Sequence, residues 1–130
     1  MSEEQINEFS VAQDHKYISL TTFRKSGKPV ATPVWFVEKE GKICVWTQLH
    51  SGKMKRLRNN AEVTLAPCTI RGKVIGPTVE GLARIVSPQE KEQVRLLLLA
   101  KYGLMQRLFA FLHRHDEIAA LEVSPPSLDK

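Results

Sequence analysis

From residue 16 onward the hydrophobic pattern has a period of two. Over residues 16–24, Ile18, Leu20 and Thr22 fall on one face and Tyr17, Ser19, Thr21 and Phe23 on the other, the alternation of a β-strand. Lys25-Ser26-Gly27-Lys28 is a turn signal. Residues 29–38 are strand-like again, and Lys39-Glu40-Gly41-Lys42 turns the chain into a third strand over residues 43–48. Three strands joined by such short turns predict an antiparallel meander. Ahead of it, residues 3–13 place Ile6, Phe9 and Ala12 along one side and predict a short helix.

Helical spacing returns twice. Residues 52–60 form a short helix with Ser51 as N-cap, burying Met54 and Leu57 on its inner side. A strand follows over residues 62–68, then a basic, Gly-containing loop or hairpin over 69–77. A fifth strand spans 78–86, with Gly81 a bulge or a point of close approach. Ser87-Pro88-Gln89-Glu90 is a helix start: Ser87 is the N-cap, Pro88 the first helical residue and Glu90 the reciprocal capping partner. Val94, Leu97, Leu98, Lys101, Tyr102 and Met105 continue at helical spacing. Gly103 ends or kinks that helix, and a second segment runs from Leu104 to about His113. Residues 118–123 are a sixth strand, stopped by Pro125-Pro126. This order predicts a mainly β (α+β) fold, six antiparallel strands closed into a small barrel with peripheral helices, because closure removes exposed strand edges.

Composition adds modest limits. A length of 130 residues suits one domain spanning 1–130, and 42% hydrophobic with 25% charged residues is ordinary for a globular chain. Residues 1–8 lack an apolar signal core, and the apolar stretch 94–112 is interrupted by Lys101, Gly103, Gln106 and Arg107. Cys44 and Cys68 sit in separate strands without metal-ligand spacing. A cytoplasmic protein with reduced thiols and no stable membrane association is expected. Nineteen Lys and Arg against 14 Asp and Glu give a net charge of +5, which points to an anionic partner.

Charge concentrates in Ser51-Gly52-Lys53-Met54-Lys55-Arg56-Leu57-Arg58. Lys53 and Arg56, three apart, are neighbours on a helix surface, where like charges repel. Lys53 also lies in the first turn, where the helix dipole disfavours a cation. An anion at the helix start relieves both, since the backbone N–H groups from Gly52 onward, the Ser51 hydroxyl and the Lys53 ammonium can converge on one phosphate. Gly52 would let it approach closely. A solvated basic face would carry the same residues. Nearby, Thr32-Pro33-Val34-Trp35 places a proline within a strand, the mark of an edge or bulge. Val45-Trp46-Thr47-Gln48 directly precedes the basic helix. Two such strands can line a flat ring, or can bury both tryptophans in a core. His15, His50, His113 and His115 show no H-x-x-x-H or H-E-x-x-H pattern. His113 and His115 with Asp116 could bind a metal but suit a solvated helix end, His50 directly precedes the basic helix, and no nucleophile motif is present. No metal is expected, no catalytic residue can be named, and the chemistry falls to a cofactor.

Three stretches between Ile18 and Val86 carry a family resemblance: I-S-L-T-T-F-R-K-S-G-K-P-V-A-T-P-V-W-F, V-W-T-Q-L-H-S-G-K-M-K-R-L-R-N-N-A-E-V-T-L-A-P-C and V-E-G-L-A-R-I-V. They resemble the pyridoxamine 5′-phosphate oxidase-like split-barrel family, whose members bind FMN or deazaflavins, and within it the branch of oxidoreductases using the deazaflavin coenzyme F420. The resemblance implies a split β-barrel homodimer with the cofactor in a groove between subunits. It implies Thr32, Pro33, Val34 and Trp35 along the tricyclic ring, and Trp46 and Thr47 near the ribityl chain. Ser51, Gly52 and Lys53 would form the phosphate turn, with Lys55 a second basic contact. FMN-dependent vitamin oxidases of the family have Arg directly before that Lys and a long C-terminal extension; this chain has Gly52 and lacks the extension. The surplus cations Arg56, Arg58, Arg71 and Lys73 suit a longer acidic tail. The expected function is hydride transfer between reduced F420 and a small organic substrate. Alternatives are an FMN-dependent oxidase or reductase of the same fold, and a non-catalytic carrier of the cofactor or of a hydrophobic ligand such as a fatty acid or haem. Nucleic acid is not an expected partner, because few aromatics interleave with the cations and no recognition motif is present.

Overall fold

The strand run predicted over residues 29–38 divides at Trp35, and the rest of the architecture follows from that break. The computed structural model describes residues 15–112 and 114–125, so the helix predicted over residues 3–13 lies outside the described residues. Among the described residues the chain forms β1 (Tyr17–Phe23), β2 (Pro29–Val34), β3 (Phe36–Lys39), β4 (Lys42–Gln48), α1 (Gly52–Asn59), β5 (Glu62–Cys68), β6 (Val79–Ile85), α2 (Pro88–Tyr102), α3 (Leu104–Leu112) and β7 (Ile118–Ser124).

The strands form one sheet in the order β2-β1-β5-β6-β7-β4-β3, and every pairing is antiparallel. Its two edge strands, β2 and β3, are consecutive in the chain with only Trp35 between them. A single residue spans a few ångströms, so the sheet must curl until its edges meet. The result is a barrel of seven strands, not six, open along the corner at Trp35. In place of a three-strand meander there are two hairpins, β1–β2 and β3–β4, on either side of that corner.

Burial shows why the run breaks. After Trp35, Phe36 and Val37 are both buried although they are adjacent. Phe36 joins the barrel interior, and Val37 joins a second cluster beneath α2. Pro33, opposite Ser19, sits in an edge strand, where a missing N–H is tolerated. The interior is built from Leu20, Phe36, Ile43, Val45, Leu65 and Leu121, with Met54 supplied by α1. On β4 the alternation is clean: Ile43 and Val45 face inward, Cys44 and Trp46 outward. Gly81 pairs with Val63 in unbroken register, so β6 has no bulge there.

The predicted capping box of α2 is present. The Glu90 N–H donates to Ser87 Oγ at 3.2 Å, and the Ser87 N–H donates to Glu90 Oε1 at 3.1 Å. Arg84 ties this cap to the sheet through Glu90 and the buried Glu122. Its guanidinium, ahead of the Ser87 hydrogen bonds, holds the Glu90 carboxyl down at about 2. Gly103 closes α2 with φ of +58°, a conformation that favours glycine, and α3 leaves at once in a new direction.

The last residue of α2 pins the corner. Tyr102 stacks on Trp35 with ring centroids 4.7 Å apart and planes 12° from parallel. Its hydroxyl accepts the Phe36 N–H at 3.2 Å and donates to Lys16 O at 2.7 Å, with Phe36 O a further 3.0 Å neighbour. Lys101 Nζ donates to Phe36 O at 3.0 Å and lies 3.5 Å from the Phe36 ring centroid. Burial pushes the Tyr102 phenol up to about 12, so it stays protonated.

Both cysteines are free and buried, and burial raises both thiols, Cys44 to about 11 with help from Glu122. No helix among the described residues is long and apolar enough to cross a membrane.

Tyr102→Phe keeps the ring stack but leaves the Phe36 N–H buried without its partner. It is expected to destabilise the fold by about 1–3 kcal/mol, read as a lower urea midpoint at unchanged slope. Phe36→Ala at the same corner should cost about 3–5 kcal/mol. A Tyr102→Phe midpoint equal to that of the parent would remove the hydroxyl from the account of the corner.

Candidate functional site

The corner opens onto a cleft of about 410 Å³. One wall is the end of β2 and the corner itself: Pro33, Val34 and Trp35. The facing wall is the end of β4: Trp46, Thr47 and Gln48. Tyr17 comes from β1, Ser51 and Lys53 from the start of α1, Ile70 from the turn after β5, and Phe109 from α3. Pocket volumes of a few hundred cubic ångströms with mostly apolar walls are the usual form of a small-ligand site.

Trp35 is held from two sides, by Tyr102 and by Phe109, whose ring centroid lies 5.1 Å away at 46°. A flat half-buried indole at a fixed angle is therefore part of the wall. The opposite wall ends in the turn that starts α1. There Ser51 Oγ accepts the Met54 N–H at 3.5 Å. An α-helix leaves its first-turn amides, here those of Gly52 and Lys53, without intrahelical partners.

Lys53 is half-buried on the cleft wall and has no ion-pair partner among the described residues. Burial, and secondly the nearby Arg56, hold its ammonium below the ordinary 10.5. Arg56 curls back toward the helix start. Its Nε donates to Oγ1 of the buried Thr22 at 2.6 Å, and its Nη1 lies 2.9 Å from where a Cβ on Gly52 would stand. Gly52 thus makes room for a guanidinium, where the sequence suggested room for a ligand. Two cations crowd one helix start with no anion between them.

Of the residues singled out from sequence, Pro33, Val34, Trp35, Trp46, Thr47, Ser51 and Lys53 meet in this one cleft. Thr32, Gly52 and Lys55 are not on its wall. Thr32 is half-buried with an Oγ1 that has no hydrogen-bond partner. Lys55 is exposed on α1, and the second cation beside Lys53 is Arg56 instead. His50, directly ahead of the turn, is exposed and pairs with Glu117 at 2.7 Å. Tyr17, Gln48, Ile70 and Phe109 complete the lining. Gln48 adjoins the Val45-Trp46-Thr47 run and was within reach of sequence reasoning; Ile70 and Phe109 arrive through tertiary packing and carry no local signal. Among the described residues no three His, Cys, Asp or Glu side chains gather as metal ligands.

The sequence profile described as pyridoxamine 5′-phosphate oxidase matches residues 2–125. The chain belongs to the pyridoxamine 5′-phosphate oxidase family. No curated protein matches it in sequence. Among solved structures, the conserved hypothetical protein Rv2991 from Mycobacterium tuberculosis is similar at TM-score 0.70 and 22% identity, covering 98% of this chain and 82% of that one. HutZ, the heme storage protein from Vibrio cholerae, is similar at TM-score 0.69 and 18% identity, covering 96% and 90%. A structure described as an F420 reductase is similar at TM-score 0.62 and 17% identity, covering 91% and 92%. These identities establish a shared fold. In this member of the family, the split in the barrel and the cleft coincide at Trp35.

Arg56→Gln removes one of the two causes acting on Lys53 and leaves its burial. The Lys53 ammonium is expected to titrate higher than in the parent, yet still below 10.5, as followed by NMR of the lysine side chains. An unchanged Lys53 titration would mean that Arg56 does not act on it.

Proposed function

We propose that this chain, as one domain, binds a deazaflavin of the F420 type and serves an oxidoreductase reaction between the reduced cofactor and a small organic substrate. The observation that carries this reading is the unpaired, half-buried Lys53 at the start of α1, placed at one end of an aromatic-walled cleft.

The flat tricyclic ring would lie between the Pro33–Trp35 wall and the Trp46–Thr47 wall. A phosphate at the helix start would accept from the Gly52 and Lys53 amides and from the Lys53 ammonium. Arg56 adds charge at the same end. Lys55 and Arg58 are exposed on α1, and Arg71 and Lys73 are exposed on the turn that carries Ile70, so positive charge extends past a single phosphate. A cofactor with an acidic tail uses that charge; FMN does not. The fold shared with an F420 reductase is in keeping with this choice.

When bound, the deazaflavin supplies the hydride. The chain's own part is to hold the ring against Trp35 and Trp46 and to exclude water with Ile70 and Phe109. We further propose a homodimer with the cofactor groove between subunits. Ile70 and, on α3, Leu104, Leu108, Phe111 and Leu112 are exposed in the single chain, and a second copy would cover such apolar area.

Fluorescence titration with F420 and separately with FMN tests this reading. F420 should bind at micromolar or tighter levels, and Lys53→Ala should weaken it about tenfold. Binding favours protonated Lys53, so affinity is full below its depressed pKa and falls as pH rises through it toward 10.5. That slope should vanish in the alanine variant. Preference for FMN would keep the site and make the chain an FMN-dependent oxidase or reductase. Binding of neither would remove the redox assignment.

A further inference from the structure

Behind Trp46 and Phe109 lies a second hollow of about 870 Å³, and both side chains belong to its wall as well as to the cofactor cleft. It runs between α2, α3 and the segment leading into β7. Its floor includes Gln106, which is only 4% exposed and whose Oε1 has no hydrogen-bond partner. A buried amide oxygen without a donor is unfavourable and rare in folded chains. An apolar side chain would fill the space at no such cost, so the amide awaits a donor from outside the chain.

The charges around the hollow are unevenly satisfied. Arg95 forks onto Glu92 at 3.0 and 2.5 Å, and Glu117 pairs with His50. Asp116 accepts from Gln48 Nε2 at 3.0 Å, and Arg114 donates to Phe111 O at 2.8 Å. Lys91 and Arg107 remain, and neither has an acidic partner among the described residues. Lys91 Nζ stands 6.0 Å from the Trp46 ring centroid. Lys91 and Arg107, with Arg114 held only by a backbone carbonyl, thus stand in a hollow that also has a flat aromatic wall and an amide oxygen in need of a donor.

We propose that this hollow is a second ligand site, for a small flat organic carboxylate that also carries a hydroxyl or N–H donor. The carboxylate meets Lys91 and Arg107, the flat body lies on Trp46 and Phe109, and the donor reaches Gln106 Oε1. Trp46 and Phe109 stand between the two hollows, so this ligand is held apart from the ring of the cofactor. Its binding does not depend on the deazaflavin reading.

6-Hydroxy-2-naphthoate is a suitable probe, titrated into the cofactor-free 130-residue chain while tryptophan fluorescence is followed. Saturable binding is expected. Gln106→Leu should weaken it about tenfold, because the amide is lost, while raising the thermal midpoint of the free protein. Arg107→Gln, on the surface, should weaken it about fivefold or more. 2-Naphthoate, without the hydroxyl, and 2-naphthol, without the carboxylate, should each bind more weakly. Lys53→Ala should leave the probe's affinity unchanged. No saturation at millimolar probe, affinity indifferent to both Gln106→Leu and Arg107→Gln, or 2-naphthol binding as tightly would each overturn the site. So would loss of binding in Lys53→Ala, which would place the probe in the cofactor cleft. Probe binding without F420 binding would remove the cofactor reading and leave this site; the reverse would remove only this site.

Discussion

The hydroxyl of Tyr102 sits where the sheet's first edge becomes its last. By accepting the Phe36 N–H and donating to Lys16 O, it fixes the backbone on both sides of the gap between β2 and β3. The same ring stacks on Trp35, so one side chain sets the corner's backbone and its indole together. Barrel closure, the position of the cleft and the angle of its aromatic wall all depend on that junction. The helix that delivers Tyr102 is in turn held at its other end by the Ser87–Glu90 cap and Arg84.

The two charged regions of the molecule have opposite logic. Around Arg84, each charge has a counter-charge: Glu90 and the buried Glu122 satisfy the guanidinium, and Lys42 lies 3.5 Å from Glu122. At the start of α1, burial and secondly Arg56 lower the Lys53 titration, with no acid between the two cations. A buried or half-buried cation is tolerated when something outside the chain completes it. The closed network builds the scaffold, and the open one faces the cleft.

What could be read from sequence follows the range of the interactions. The capping box at Ser87, the turn at Gly103, the N-cap at Ser51 and the edge proline at Pro33 are local signals, and each stands where the residues placed it. The division at Trp35 was hidden because Val34-Trp35-Phe36-Val37 is continuously apolar, and a one-residue change of phase inside such a run leaves no mark. Most of the cleft wall was legible, since Pro33–Trp35 and Trp46–Gln48 are short segments at strand ends and Ser51 and Lys53 follow close behind. Arg56 was counted as one cation among four, because its anchor, Thr22, lies 34 residues away. For the same reason the contact of Arg56 with the space above Gly52 leaves no mark in the sequence. Ile70 and Phe109 reach the cleft only through packing between distant elements.

The strand order has a consequence in time. β7 lies between β6 and β4, so the β3–β4 hairpin finds its inner neighbour only when residues 118–124 are available. Until then β1, β2, β5 and β6 can form one partial sheet, while the β3–β4 hairpin, joined to it through Trp35 at one end and α1 at the other, has no strand neighbour outside itself. Pairings across so much chain are slow to form and expose strand edges while they wait. On a ribosome, the chain therefore holds a half-built sheet until its last described strand emerges, and the junction at Trp35 and the pocket beside it become complete only with that final insertion.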